Sequence, residues 1–114
     1  MQTELTPTIA EMSEVVAKYM GWEKKKRSRQ QYIWELNNFF QCYVGEENFD
    51  KDWNRLHEVW EKVREDIQIS PPEIEGEIYV SFMEGNQLDT LTALYNAIQF
   101  INQLKQQENA NKDI

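Results

Sequence analysis

The sequence predicts an α+β fold in which a small antiparallel sheet is sandwiched by helices in α/β/α layers. Three observations carry that expectation. Phe49, Trp53, Leu56, Trp60, Val63 and Ile67 recur at three- and four-residue steps, so they project from one face of a helix. Beyond Asp66 the period drops to two, with Ile67 and Ile69 alternating with polar residues and Ile78, Val80 and Phe82 alternating with Tyr79, Ser81 and Met83. Between Trp22 and Val44 the chain is crowded with strand formers, among them Tyr32, Ile33, Trp34, Phe39, Phe40 and Tyr43.

The first helix is expected from Thr8 to Met20. Pro7 suits a first turn, Thr8 with Glu11 fits a capping box, and Ile9, Met12, Val16, Tyr19 and Met20 form the apolar face. Gly21 is placed to end it in the left-handed conformation.

Trp22–Val44 gives conflicting signals. Tyr32, Leu36, Phe39 and Tyr43 fit a helix, yet residue propensity favours strands. Extended structure is expected from Glu23 to about Glu35, Leu36–Val44 stays open, and Asn37-Asn38 suits a turn. Were 29–44 helical, the fold would instead be mostly α with one β-hairpin.

A turn at Gly45–Asn48 leads to the central helix, about 50–66, capped by Asp50 or Asp52. Strands are expected at about 67–70 and 76–83, separated by a loop holding Pro71-Pro72. A tight turn at Glu84-Gly85-Asn86 precedes the last helix, about 87–106. Asn86 caps it, Asp89 sits in its first turn, and Leu91, Leu94, Tyr95, Ile98, Phe100 and Ile101 make a broad apolar surface. The expected core is therefore Trp53, Leu56, Trp60, Val63, Tyr95 and Ile98.

At 114 residues the chain suits one domain, with a core at about 7–106 and polar, flexible tails at 1–6 and 107–114. Cys42 is the only cysteine, so no internal disulfide can form; its apolar setting predicts a buried, inert thiol. No apolar run reaches the ~18 residues of a membrane span, and no signal-peptide pattern is evident. A cytoplasmic protein with no membrane association is expected.

Net charge is −8 and unevenly spread. Lys24, Lys25, Lys26, Arg27 and Arg29 crowd one short segment, so 23–29 carries +4 and the remainder −12. That acidic body predicts no strong nucleic-acid binding.

Three patches carry a resemblance. Val16-Ala-Lys-Tyr-Met-Gly-Trp22 resembles the Ala-Glu-Phe-Met-Gly helix ending of many small bacterial and phage proteins. Asp52-Trp53-Asn54-Arg55-Leu56 and Val59-Trp60-Glu61-Lys62-Val63 match their Ser-Trp-Asp-Trp-Leu and Val-Val-Glu-Lys-Ile segments. Leu94-Tyr-Asn-Ala-Ile-Gln-Phe-Ile101 is similar to their Val-Tyr-Asn-Ala-Val-Val-Glu-Phe-Ile. The chain thus resembles proteins akin to the phage ABA-sandwich domain family, with Arg55 replacing the second Trp of a Trp-x-Trp pair. The resemblance implies a helix/sheet/helix sandwich and a phage or mobile-element setting. It adds weight to the extended reading of 23–35 and implies no activity.

Catalytic and metal-binding patterns are weak. His57, the single histidine, has Glu61 one turn away but no second His or Cys to complete a metal site. Glu73, Glu75, Glu77 and Glu84 lack calcium-loop spacing and read as solvated charges along the expected strand. No catalytic residue, metal or cofactor is expected, and the chain reads as a non-enzyme. Binding remains. The aromatics between Trp22 and Tyr43 exceed what a small core readily hides, so some are expected to surface as a protein-binding patch. The candidate surface comprises Trp22, Lys24, Lys25, Lys26, Arg27, Arg29, Tyr32 and Trp34. The expected function is that of a phage-type accessory protein that binds a protein partner, with a homodimer and an anti-defence role both compatible. The alternative is a small-molecule or nucleotide site where the basic segment meets nearby aromatics.

Overall fold

The computed structural model describes residues 7–67 and 72–112, with side chains described as far as Gln107. It is a mixed α+β fold of four helices and one antiparallel sheet among the described residues. The chain divides into two compact units, Met1–Asn48 and Phe49–Ile114.

The first unit opens with α1, Ile9–Tyr19. Thr8 Oγ1 accepts the Glu11 backbone N–H at 3.1 Å and donates to Glu11 Oε1 at 3.1 Å, so Thr8 and Glu11 close the N-terminus together. At the other end Gly21 takes φ +86°, which lets the Trp22 N–H reach the Ala17 carbonyl and the Gly21 N–H reach that of Lys18. This Schellman ending is one that a β-carbon would strain.

Three strands follow, β1 Glu23–Ser28, β2 Gln31–Leu36 and β3 Phe39–Tyr43, ordered β1-β2-β3. Propensity therefore prevails over helical periodicity throughout 23–43, including the stretch left open by the sequence. Asn37 and Asn38 supply the β2–β3 turn with φ of 52° and 71°, the positive values a two-residue hairpin of matching twist requires. Register pairs Lys24 with Trp34, Lys25 with Ile33, and Trp34 with Cys42. A bulge between Trp34 and Glu35 then sets Glu35 against Phe40. Met12, Val16, Ala17, Trp22, Ile33, Trp34 and Cys42 are buried. Cys42, the sequence's single cysteine, is buried and in no disulfide.

The second unit comprises α2, Trp53–Asp66, α3, Pro72–Glu84, and α4, Gln87–Lys112. Asp52 is the cap of α2, its Oδ1 accepting the Asn54 N–H at 2.9 Å. Asn86 caps α4 by accepting the Asp89 N–H at 3.0 Å, and Gly85 turns the chain between α3 and α4 with φ +72°. Both α2 and α3 pack on α4. The α2 stripe buries Leu56, Trp60, Val63 and Ile67, while α4 buries Leu91, Leu94, Ala97, Ile98 and Ile101. Of the six expected core residues, Leu56, Trp60, Val63 and Ile98 are buried. Trp53 and Tyr95 are half-buried instead. Trp53 lies in the first turn of α2, and the Tyr95 hydroxyl accepts a hydrogen bond from Gln99 Nε2 at 2.9 Å.

The principal correction concerns 76–83. The expected strand is part of helix α3, and the sheet is built from 23–43 alone among the described residues. The reason is local and tertiary at once. Pro72 sits in a first turn, where its missing N–H has no helical partner to lose, and Glu73 and Glu75 complement the helix dipole there. Ile74, Ile78, Ser81 and Phe82 then fall on one helical face, of which Ile78 and Ser81 are buried. Of the other expected strand, Ile67 lies at the C-cap of α2 and 68–70 fall outside the described residues. Helix α4 runs to Lys112, six residues beyond its expected end at 106.

Candidate binding surfaces

The sheet distributes the basic segment over two faces because strand side chains alternate. Lys24, Lys26, Tyr32, Trp34 and Cys42 share one face; Lys25, Ile33, Glu35, Phe40 and Tyr43 share the other. All six residues of β1 are exposed.

On the first face, Trp34 is 1% exposed and Trp22 8% exposed, with ring centroids 6.4 Å apart. Both were expected on the surface, and both are interior. Trp34 can be buried because Glu47, itself buried, accepts its Nε1–H at 2.7 Å. The same Glu47 oxygen accepts the Gly45 N–H at 2.7 Å. Lys24 lies over the Trp34 ring, 5.5 Å from its centroid, and hydrogen-bonds Glu14 on α1. That contact holds the Glu14 carboxyl below the usual carboxylate range; burial opposes the shift, and the Lys24 and Lys18 charges reinforce it. A cavity of about 210 Å³ here is lined by Glu11, Glu14, Lys24, Trp34, Val44 and Glu47, among others. Three carboxylates against one engaged lysine disfavour an anionic ligand.

On the second face, Lys25 Nζ stands 3.0 Å from Glu35, which raises the Lys25 pKa above its ordinary value. Arg27 Nη1 donates to the Tyr43 hydroxyl at 3.4 Å and sits 6.0 Å from that ring's centroid. Phe40 meets Tyr43 edge-on at 5.3 Å. Phe39 and Phe40 are 74% and 49% exposed, and Tyr32 is 43% exposed. The eight residues expected to form one surface therefore do not. Lys26, Arg29 and Tyr32 are exposed, Lys24, Lys25 and Arg27 are engaged by neighbours, and Phe39 and Phe40 supply the outward apolar area.

The second unit presents two further features that sequence reasoning missed. His57 is exposed and stacks on Phe82 at 4.9 Å, while Trp60 meets Tyr79 edge-on at 5.3 Å. Between α3 and α4 lies a groove of about 440 Å³. Gly76, Ser81 and Ala93 give it a small-residue floor, and Glu77, Glu84 and Asp89 line it with carboxylates. Those glutamates were expected beside a strand; on a helix they fall along one stripe. No helix among the described residues is long and apolar enough to cross a membrane.

Comparison with family models, curated proteins and solved structures gives no match for this chain.

Proposed function

We propose that this chain is a non-enzymatic, cytoplasmic accessory protein that acts by binding another protein, and that its first unit does so through strand β3. The observation that carries the reading is the exposure of adjacent Phe39 and Phe40 on what is, among the described residues, an edge strand of the sheet. The two sheet edges differ sharply. β1 carries Lys24, Lys25, Lys26 and Arg27, the kind of charge that discourages strand addition. β3 carries Phe-Phe-Gln-Cys-Tyr, which invites it. Arg27 and Tyr43 beside Phe40 add the residue types that dominate interface energetics.

The resemblance to phage proteins supports a mobile-element setting, and an anti-defence role fits that setting. A nucleotide site is the weaker reading, because the cavity beside Lys24 is lined by Glu11, Glu14 and Glu47.

Affinity capture from host lysate with the wild type and a Phe39→Lys/Phe40→Glu variant tests the proposal. A protein retained by the wild type and lost with the variant is the expected result. Size-exclusion chromatography with light scattering identifies a second copy as the partner if the wild type alone dimerises. No retained protein, together with a nucleotide that raises Tm by several degrees, overturns the reading in favour of the ligand site.

A further inference from the structure

We infer that the α3–α4 groove is a docking site for a cationic amphipathic helix of another protein. This assignment is independent of strand β3 and lies wholly within the second unit.

The groove is apolar at its floor and acidic along its sides. Helix α3 buries Ile78 and Ser81, yet Val80, which lines the groove, is 52% exposed. A helix with apolar residues on both sides ordinarily has both sides covered. Gly76 deepens the groove, since a β-carbon there would meet nothing within 4 Å. At about 440 Å³ the space accommodates one or two large apolar anchors.

Charge selects the occupant. Glu73, Glu77, Glu84 and Asp89 make no ion pair among the described residues, and Phe49–Ile114 holds thirteen acidic against six basic residues. Glu73 and Glu77 stand one turn apart on α3, where like charges repel. Glu77 and Glu84 are seven residues apart, roughly 10 Å along the axis, so lysines or arginines seven apart on a facing helix match them. Nucleic acid has the wrong sign. Two copies of α3 set face to face would oppose glutamate to glutamate. The basic strand of a second copy is also poorly suited, because Lys24 and Lys25 already hydrogen-bond or pair with Glu14 and Glu35.

The test uses the full chain and a synthetic peptide of about 18 residues, long enough to form a helix. Its leucines are spaced i, i+3, i+4, i+7 and flanked by lysines. A scrambled peptide of identical composition and a Leu/Glu peptide of the same pattern serve as controls. The expected result is salt-sensitive binding of the patterned Leu/Lys peptide alone, with NMR shifts at Gly76, Val80 and Ala93. Gly76→Leu puts a side chain into the groove at a position where the β-carbon meets nothing within 4 Å, and Glu77→Lys/Glu84→Lys reverses the groove's charge; each should weaken binding at least about tenfold. Equal affinity for the scrambled or Leu/Glu peptide overturns the inference, as does undiminished binding by Gly76→Leu. Shifts confined to Phe39 and Phe40 assign the peptide to the sheet and overturn it too. Dimerisation in sedimentation that Gly76→Leu abolishes makes a second copy the occupant, with the same consequence. The Phe39→Lys/Phe40→Glu variant should bind the peptide as the wild type does, which separates this site from strand β3.

Discussion

The Trp34 indole N–H donates to Glu47 at 2.7 Å, and the carboxylate oxygen that accepts it also receives the Gly45 N–H at 2.7 Å. One side chain thus satisfies a buried ring donor and fixes the turn that follows the sheet. Both partners are at most 5% exposed, so neither can turn to water if the other is removed. Glu47→Ala should cost ~1–3 kcal/mol by stranding the indole donor. Glu47→Gln keeps an acceptor and should cost less. Urea denaturation monitored by tryptophan fluorescence checks the order.

Trp60 contributes through packing. It is 7% exposed and contacts Tyr79 and Phe82 on α3. Trp60→Ala should cost ~3–5 kcal/mol as a large-to-small core change. Half-buried Trp53 should tolerate alanine better. A denaturation midpoint that barely moves for Trp60→Ala would place this ring outside the core.

Gly76 is an interior glycine of helix α3. Its surroundings are open to a β-carbon, so alanine should stabilise α3 by about 0.5–1 kcal/mol. Thermal denaturation measures the gain, and a loss of stability would contradict the helical assignment.

Two ion pairs contribute to the pH response of the first unit. The Glu14 carboxyl lies below its ordinary 4.5, chiefly through the Lys24 hydrogen bond. Its contribution is therefore present above the unfolded value and disappears as pH falls through the folded one. Lys25 lies above 10.5, chiefly through its hydrogen bond to Glu35, so its contribution is full below 10.5 and disappears as pH rises through the folded value. Glu14→Gln should be less stable than the wild type near neutrality, by no more than the ~1 kcal/mol of exposed pairs, and equal to it in strong acid. Lys25→Gln should converge with the wild type in strong alkali, as Lys25 loses its charge. Urea titrations across pH check both limits.

Nucleic-acid binding should be weak. Five free cations would give a salt slope near −4.5 on duplex DNA, but the Lys24 and Lys25 pairs leave three, or about −2.7. Affinity at ~150 mM salt should be poorer than the ~10⁻⁴ to 10⁻⁶ M of non-specific binders. Gel-shift titration with duplex and single-stranded probes checks this. Micromolar binding lost on replacing Lys24, Lys25, Lys26 and Arg27 by alanine would make nucleic acid the partner.

What the sequence determined by itself is local. Thr8 with Glu11, Gly21, Asp52 and Asn86 mark helix ends through bonds spanning a few residues, and each makes the turn or cap its type predicts. The stripe from Phe49 to Ile67 needs only its own spacing to define a buried face. Asn37-Asn38 likewise signals its turn, because few other residues accept two successive positive φ values.

Tertiary structure decided the rest. Ile78–Met83 is apolar on every side, so neither a period of two nor one of 3.6 is unique to it, and packing on α4 makes it helix. Pro72 followed by Glu73 suits a helix start as well as a loop, and packing on α4 separates the two. The surface was less legible still. Trp34 is interior because a carboxylate thirteen residues away meets its N–H, while Phe39 is outside because the hairpin turn carries it to a tip. The α3–α4 groove joins Gly76 to Ala93 and Glu77 to Asp89 across a turn. Burial and clustering of this kind depend on which distant residues fold against each other, and no short-range pattern records that.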